Sequence, residues 1–186
     1  MIDMKNKNNS IQRLNKTESI WIREQFIKKY VDVSTSHYEK ISKINCEVCK
    51  DRQDYVFLWD ALYQEFQTTV NYHKALEFLS KYDGEVYVMV DLCFIVNNEN
   101  AGEEDILRMK RDLKGDSILR LDACHVADII RDDNSSSQMY SDRQFPADIY
   151  VFDSTFKWFI AFTHEFFGKS YDDADRICFS NIGVLM

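Results

Sequence analysis

The sequence predicts an α+β protein, with N-terminal helices packed against a mainly antiparallel sheet that the second half supplies. Three observations lead there. Residues 15–82 repeat apolar side chains at three- and four-residue spacing, the period of a helix. From Glu85 onward, β-branched and aromatic residues dominate short runs. Between Asp148 and Gly168 lies a hairpin pattern, with strands Ile149–Phe152 and Trp158–Glu165 joined by a four- or five-residue polar connection. Trp158, Ile160, Phe162 and His164 fall on one face of the second strand, and Phe159, Ala161, Thr163 and Glu165 on the other. Both faces are largely apolar, so this strand is expected to be central and covered on both sides.

In chain order, residues 1–14 read as a frayed polar tail, 15–82 as a helical part and 85–182 as a sheet-rich part of one domain. Asn15 and Glu18 have capping-box spacing ahead of a helix over Lys16–Tyr30. Its buried stripe is expected at Ile20, Phe26 or Ile27, and Val31, with Trp21 beside it. Val31–Arg52 is polar and irregular, a loop or weak helix. Asp54 can cap a second helix carrying Leu58, Leu62 and Phe66, which Thr68-Thr69-Val70 weakens. A third helix starts near Asn71, buries Ala75, Leu76, Leu79 and Tyr82, and stops at Gly84, expected at positive φ.

Glu85–Val96 reads as one bulged strand or two short ones, interrupted at Asp91. After the turn Asn97–Asn100, Glu103, Glu104 and Asp105 occupy a helix N-terminus, where negative charge is favoured, and Gly115 ends that helix. Asp122 caps a further helix, with Leu121 positioned to pack on Val126. Asp132–Gln144 is an exposed loop, Pro146 introduces the hairpin, and the acidic loop Tyr171–Asp175 leads to a last strand, Arg176–Ser180, able to pair with Trp158–Glu165.

Charge and composition narrow the function. Lys and Arg total 23 against 31 Asp and Glu, a net charge of −8. Phosphate binding rests on clustered Lys and Arg, so nucleic acid and anionic membrane are not the expected partners. The N-terminus lacks the apolar core of a signal peptide, and no run approaches a bilayer span of about 18 apolar residues. A cytoplasmic location is expected. Five cysteines in a chain that is 45% hydrophobic point to free thiols rather than a disulfide framework.

Chemical motifs are sparse. His164-Glu165 looks like a catalytic pair, but neighbours on a regular strand point to opposite faces and cannot share a proton. The plain reading is that Thr163, His164 and Glu165 close the strand with side-chain hydrogen bonds; the functional one is a ligand contact at the sheet end, with Asp153 or Cys178 nearby. Cys46-x-x-Cys49 lacks the further ligands of a zinc site, and neither its flanks nor His37 and Cys124-His125 supply them by spacing, so no metal and no cofactor are expected. Cys93 and Cys178 read as core residues. Asp91, Asp148 and Asp153 flank strands, where aspartate starts turns.

Two stretches carry a resemblance. Asp83-Gly-Glu-Val-Tyr-Val-Met-Val and Asp148-Ile-Tyr-Val-Phe-Asp, followed by Trp158 and Thr163-His-Glu, resemble segments of small bacterial proteins, some of which look like immunity proteins that neutralise secreted polymorphic toxins. The resemblance spans about a fifth of the chain and implies a stand-alone α+β binder. Two functions are therefore expected as alternatives. One is an immunity-like protein that blocks a basic toxin domain through Glu103, Glu104, Asp105, Asp172, Asp173 and Asp175. The other is a small enzyme or ligand-binding protein using Asp153, Thr163, His164 and Glu165.

Overall fold

The computed structural model describes residues 11–43, 57–90, 118–135, 148–167 and 175–181. Among these residues, seven strands form one antiparallel sheet. They are β1 (Gln12–Arg13), β2 (Thr69–Asn71), β3 (Glu85–Val90), β4 (Leu119–Asp122), β5 (Ile149–Asp153), β6 (Phe159–Phe167) and β7 (Asp175–Ser180), in the order β1-β4-β3-β5-β6-β7-β2. Helices α1 (Lys16–Tyr30), α2 (Ser36–Lys43), α3 (Tyr72–Lys81) and α4 (Ala123–Ser135) accompany it. The α+β class is as the sequence predicts, and so is the hairpin: β5 pairs with β6, Ile149 opposite Phe162 and Phe152 opposite Phe159. The last strand pairs with β6 as expected.

Alternation explains why the sheet is covered twice. Val86, Val88, Val151, Ile160 and Phe162 meet Ala75, Leu76 and Leu79 of α3 and Val126, Ala127 and Ile130 of α4 in one core. Met89, Tyr150, Phe152, Phe159 and Ala161 face the other way, into a second core with Ile22, Phe26 and Tyr30 of α1 and Leu58 and Leu62. Phe26 is its centre. Its ring lies 4.8–5.6 Å from those of Tyr30, Tyr150, Phe152 and Phe159, in tilted or edge-on pairs.

Helix α1 begins with the capping box read from the sequence: the Glu18 N–H donates to Asn15 Oδ1, and the Asn15 N–H to Glu18 Oε2. Its buried stripe differs from the expected one. Ser19, Ile22, Phe26 and Tyr30 face inward, while Ile20 and Trp21 are 39% and 54% exposed. The helix is turned so that its two inward rings meet the aromatic face of the sheet, and the buried Ser19 hydroxyl accepts the Ile118 N–H at 3.3 Å.

Other elements also depart from expectation. Gln12 and Arg13 pair with β4 and Leu14 is buried, so the chain is anchored from residue 12. The 31–52 stretch, read as a loop or weak helix, contains the helical alternative in α2. Leu58, Leu62 and Phe66 do not lie on one helix; Leu58–Ala61 and Gln64–Phe66 are separate 3₁₀ turns. Between them, Leu62 bridges antiparallel to Val31, and the Asp32 N–H donates to the Ala61 carbonyl at 2.7 Å. These cross-chain bonds replace the helical ones. Thr69–Asn71 is an edge strand, followed by α3 with the expected Asn71 cap. Leu119–Asp122 is a strand that runs directly into α4, whose first residue, Ala123, follows the expected cap Asp122, and α4 runs on to Ser135 where an exposed loop was expected from Asp132. Leu121 and Val126 are both buried in the first core.

Gly84 does not take the positive φ expected of it; a Cβ there would stand 3.0 Å from Tyr82 Cε1. The turn 97–100, Gly115, Pro146, Asp91, Cys46, Cys49 and Cys93 lie outside the described residues. No helix among the described residues is long and apolar enough to cross a membrane.

Candidate functional site

The β5–β6 hairpin turn is built on the Asp153 carboxylate. Asp153 is 3% exposed and accepts the N–H groups of Thr155 (3.1 Å), Lys157 (2.7 Å) and Trp158 (3.1 Å), along with the Thr155 hydroxyl. A carboxylate satisfied by so many local donors is the keystone of a turn, as aspartate often is. Phe156, within this turn, has φ 55, the one positive-φ residue other than glycine among those described. A bulky side chain in the left-handed region costs about 1–2 kcal/mol. The neighbourhood holds it there: its carbonyl accepts from Lys29 Nζ and the Tyr30 hydroxyl, and its ring stacks on Phe152 at 5.5 Å and meets Trp21 edge-on at 6.5 Å. Burial, and then the charge of Asp153, push the Tyr30 phenol well above its ordinary range.

Thr163, His164 and Glu165 lie at the opposite end of the β5–β6 ladder, since Phe152 pairs with Phe159 and Ile149 with Phe162. The four residues Asp153, Thr163, His164 and Glu165 are therefore not brought to one site. Thr163 is fully buried. The β6–β7 register shifts between Phe162 and Phe166, so 163–165 form a bulge opposite Ile177. Asp148, one step before β5, is completely buried and accepts the Trp59 Nε1–H at 3.4 Å. Cys178 is buried in the first core, as expected of a core cysteine, and Cys124 is a half-buried free thiol on α4. Among the described residues, no three His, Cys, Asp or Glu side chains cluster as metal ligands. Glu103, Glu104, Asp105, Asp172 and Asp173 lie outside the described residues, and Asp175 is the first residue of β7.

The described surface carries a few exposed apolar side chains. Its exposed large hydrophobic residues are Ile11, Ile20, Trp21, Val33 and Tyr63, all within the first 63 residues. Ile20 and Trp21 stand on α1, Val33 in the α1–α2 turn, and Tyr63 between the two 3₁₀ turns. Tyr30 fastens this layer from both ends: its hydroxyl reaches the hairpin, and its carbonyl accepts the Tyr63 N–H at 3.0 Å. Tyr30 and Phe156 were not singled out from the sequence. The available signal was the surplus of apolar residues in α1, where Ile20, Trp21, Ile22, Phe26 and Ile27 exceed what one buried stripe can hold. Comparison of the chain with family models, with curated proteins and with solved structures finds no match.

Proposed function

We propose that the protein is an immunity-like interaction protein, which neutralises a basic partner protein by binding it. The observation that carries this reading is the set of exposed large apolar residues on α1, the α1–α2 turn and the 3₁₀ segment, with Trp21 and Val33 each 54% exposed. Exposed aromatics on an ordered support are what interfaces use as anchors, because little side-chain freedom is lost on binding. The buried carboxylates Asp148 and Asp153 already serve structural donors, which fits scaffolding rather than acid–base work. The net charge of −8 supplies the field that steers a basic partner. The test is co-expression with the protein encoded beside this one. Protection of growth and a salt-sensitive complex are expected, and Tyr63→Ala is expected to weaken the complex. Absence of any complex would sink the reading.

The bulge at 163–165 favours one alternative, a ligand site at that end of the sheet, because bulges re-aim side chains beside active sites. Substrate turnover lost in a folded His164→Ala variant would establish it.

A further inference from the structure

The layer that carries the exposed apolar residues is not uniform in charge. Two of its segments, 30–39 and 57–68, run side by side through the Val31–Leu62 bridge, the Asp32 to Ala61 hydrogen bond and the Tyr63 to Tyr30 hydrogen bond. Val33 and Tyr63 stand out from them, 54% and 38% exposed. Neither segment contains a single lysine or arginine, whereas between them they carry Asp32, Glu39, Asp60 and Glu65. His37 is their one other ionisable group that can take a positive charge. Lys29 and Lys40 flank the first segment in sequence, and Lys29 is turned to the Phe156 carbonyl on the hairpin. Asp32 accepts the N–H and hydroxyl of Ser34, which holds its carboxyl below the usual carboxylate range and so keeps it charged.

From this arrangement we infer that the ledge made by the α1–α2 turn and the 3₁₀ segment is the docking surface for a basic protein surface, with Val33 and Tyr63 as apolar anchors inside an anionic rim. The inference rests on the interaction reading above and assigns its contact face. Trp21, the largest exposed side chain of the layer, stands on the helix that holds Lys28 and Lys29 and packs against the turn that holds Lys157. A cationic partner finds weaker complementarity there than at the ledge. Charge draws the partner in and selects its sign, while desolvation of the two anchors slows its departure.

The experiment titrates the ¹⁵N-labelled full chain with a synthetic peptide rich in lysine and arginine and carrying two leucines. A peptide of equal length with glutamate at every basic position serves as control. The expected result is salt-sensitive binding of the basic peptide alone, with amide shifts centred on residues 31–35 and 60–65. Val33→Ser combined with Tyr63→Ser leaves every charge in place and is expected to weaken binding at least tenfold; Glu65→Lys is expected to do the same. Both sites are exposed, so unchanged circular dichroism and urea midpoints certify the fold. Salt-sensitive binding with shifts elsewhere, undiminished in the Val33/Tyr63 variant, overturns the ledge and leaves the basic-partner reading standing. Equal binding of the acidic peptide, or no binding of the basic one, overturns both.

Discussion

Replacing Asp153 tests whether its carboxylate holds the hairpin turn together. Asp153→Ala removes the acceptor of three backbone N–H groups and one hydroxyl. The Trp158 N–H belongs to a residue only 3% exposed, so water does not readily replace the lost partner. Leaving such a donor unsatisfied costs about 1–3 kcal/mol. Thr155 and Lys157 are exposed, and their amides can turn to solvent at a smaller cost, about 0.5–1 kcal/mol each. The expected total is about 2–5 kcal/mol. Asp153→Asn keeps an acceptor oxygen for Lys157 and Trp158 but gives up the charge and the Thr155 bonds, so about 1–2 kcal/mol is expected. Urea unfolding followed by tryptophan fluorescence reads both. With a slope of about 2 kcal/mol/M, the alanine variant should lower the midpoint by roughly 1–2.5 M without changing the slope. A shift below about 0.5 M for Asp153→Ala would refute the assignment of the turn to this carboxylate.

Three further perturbations follow from the same core. Phe26→Ala removes a fully buried ring that meets four others and should cost about 3–5 kcal/mol in the same unfolding assay. Phe156→Val places a β-branched residue at φ 55 and should cost at least about 2 kcal/mol, whereas Phe156→Gly, which trades strain relief against lost ring contacts, should stay within about 1 kcal/mol of the parent. Tyr30→Phe loses the hydroxyl bond to Phe156, about 1 kcal/mol near neutral pH. Because the folded phenol titrates above the unfolded one, the stability it contributes is complete below about pH 10 and declines as pH rises further. The gap between parent and Tyr30→Phe should therefore narrow between about pH 10 and 11, measured as urea midpoints; a gap that widens would contradict the burial of this group.

Local signals were the legible ones. The Asn15–Glu18 capping box, the Asn71 cap and the alternation through Ile149–Phe152 and Phe159–Phe162 act over a few residues, and the structure follows them. Features decided by distant partners were not legible. Edge strands of two and three residues are too short to show a period, and only β4 and β7 make them strands. Leu58, Leu62 and Phe66 satisfy the helical four-residue repeat, yet Val31 and Asp32 draw that backbone into a bridge. Which apolar flank of α1 turns inward depends on the rings of Tyr150, Phe152 and Phe159. For the same reason the exposure of Trp21, Val33 and Tyr63 was hidden, since exposure is what remains after the cores have filled. Phe156 carries no glycine or asparagine signal for its left-handed backbone; two donors from α1 impose it.

The composition of the second core has a consequence for the order in which the chain matures. Phe26 and Tyr30 leave the ribosome more than a hundred residues ahead of their contacts Tyr150, Phe152 and Phe159. At about 5–20 residues per second, more than a hundred residues take roughly 5–25 s to synthesise. Throughout that interval α1 has no sheet to cover, and its inward rings face water or a chaperone. The N-terminal layer therefore docks as a late event, and a chain truncated before β5 leaves Phe26 and Tyr30 uncovered and prone to aggregate.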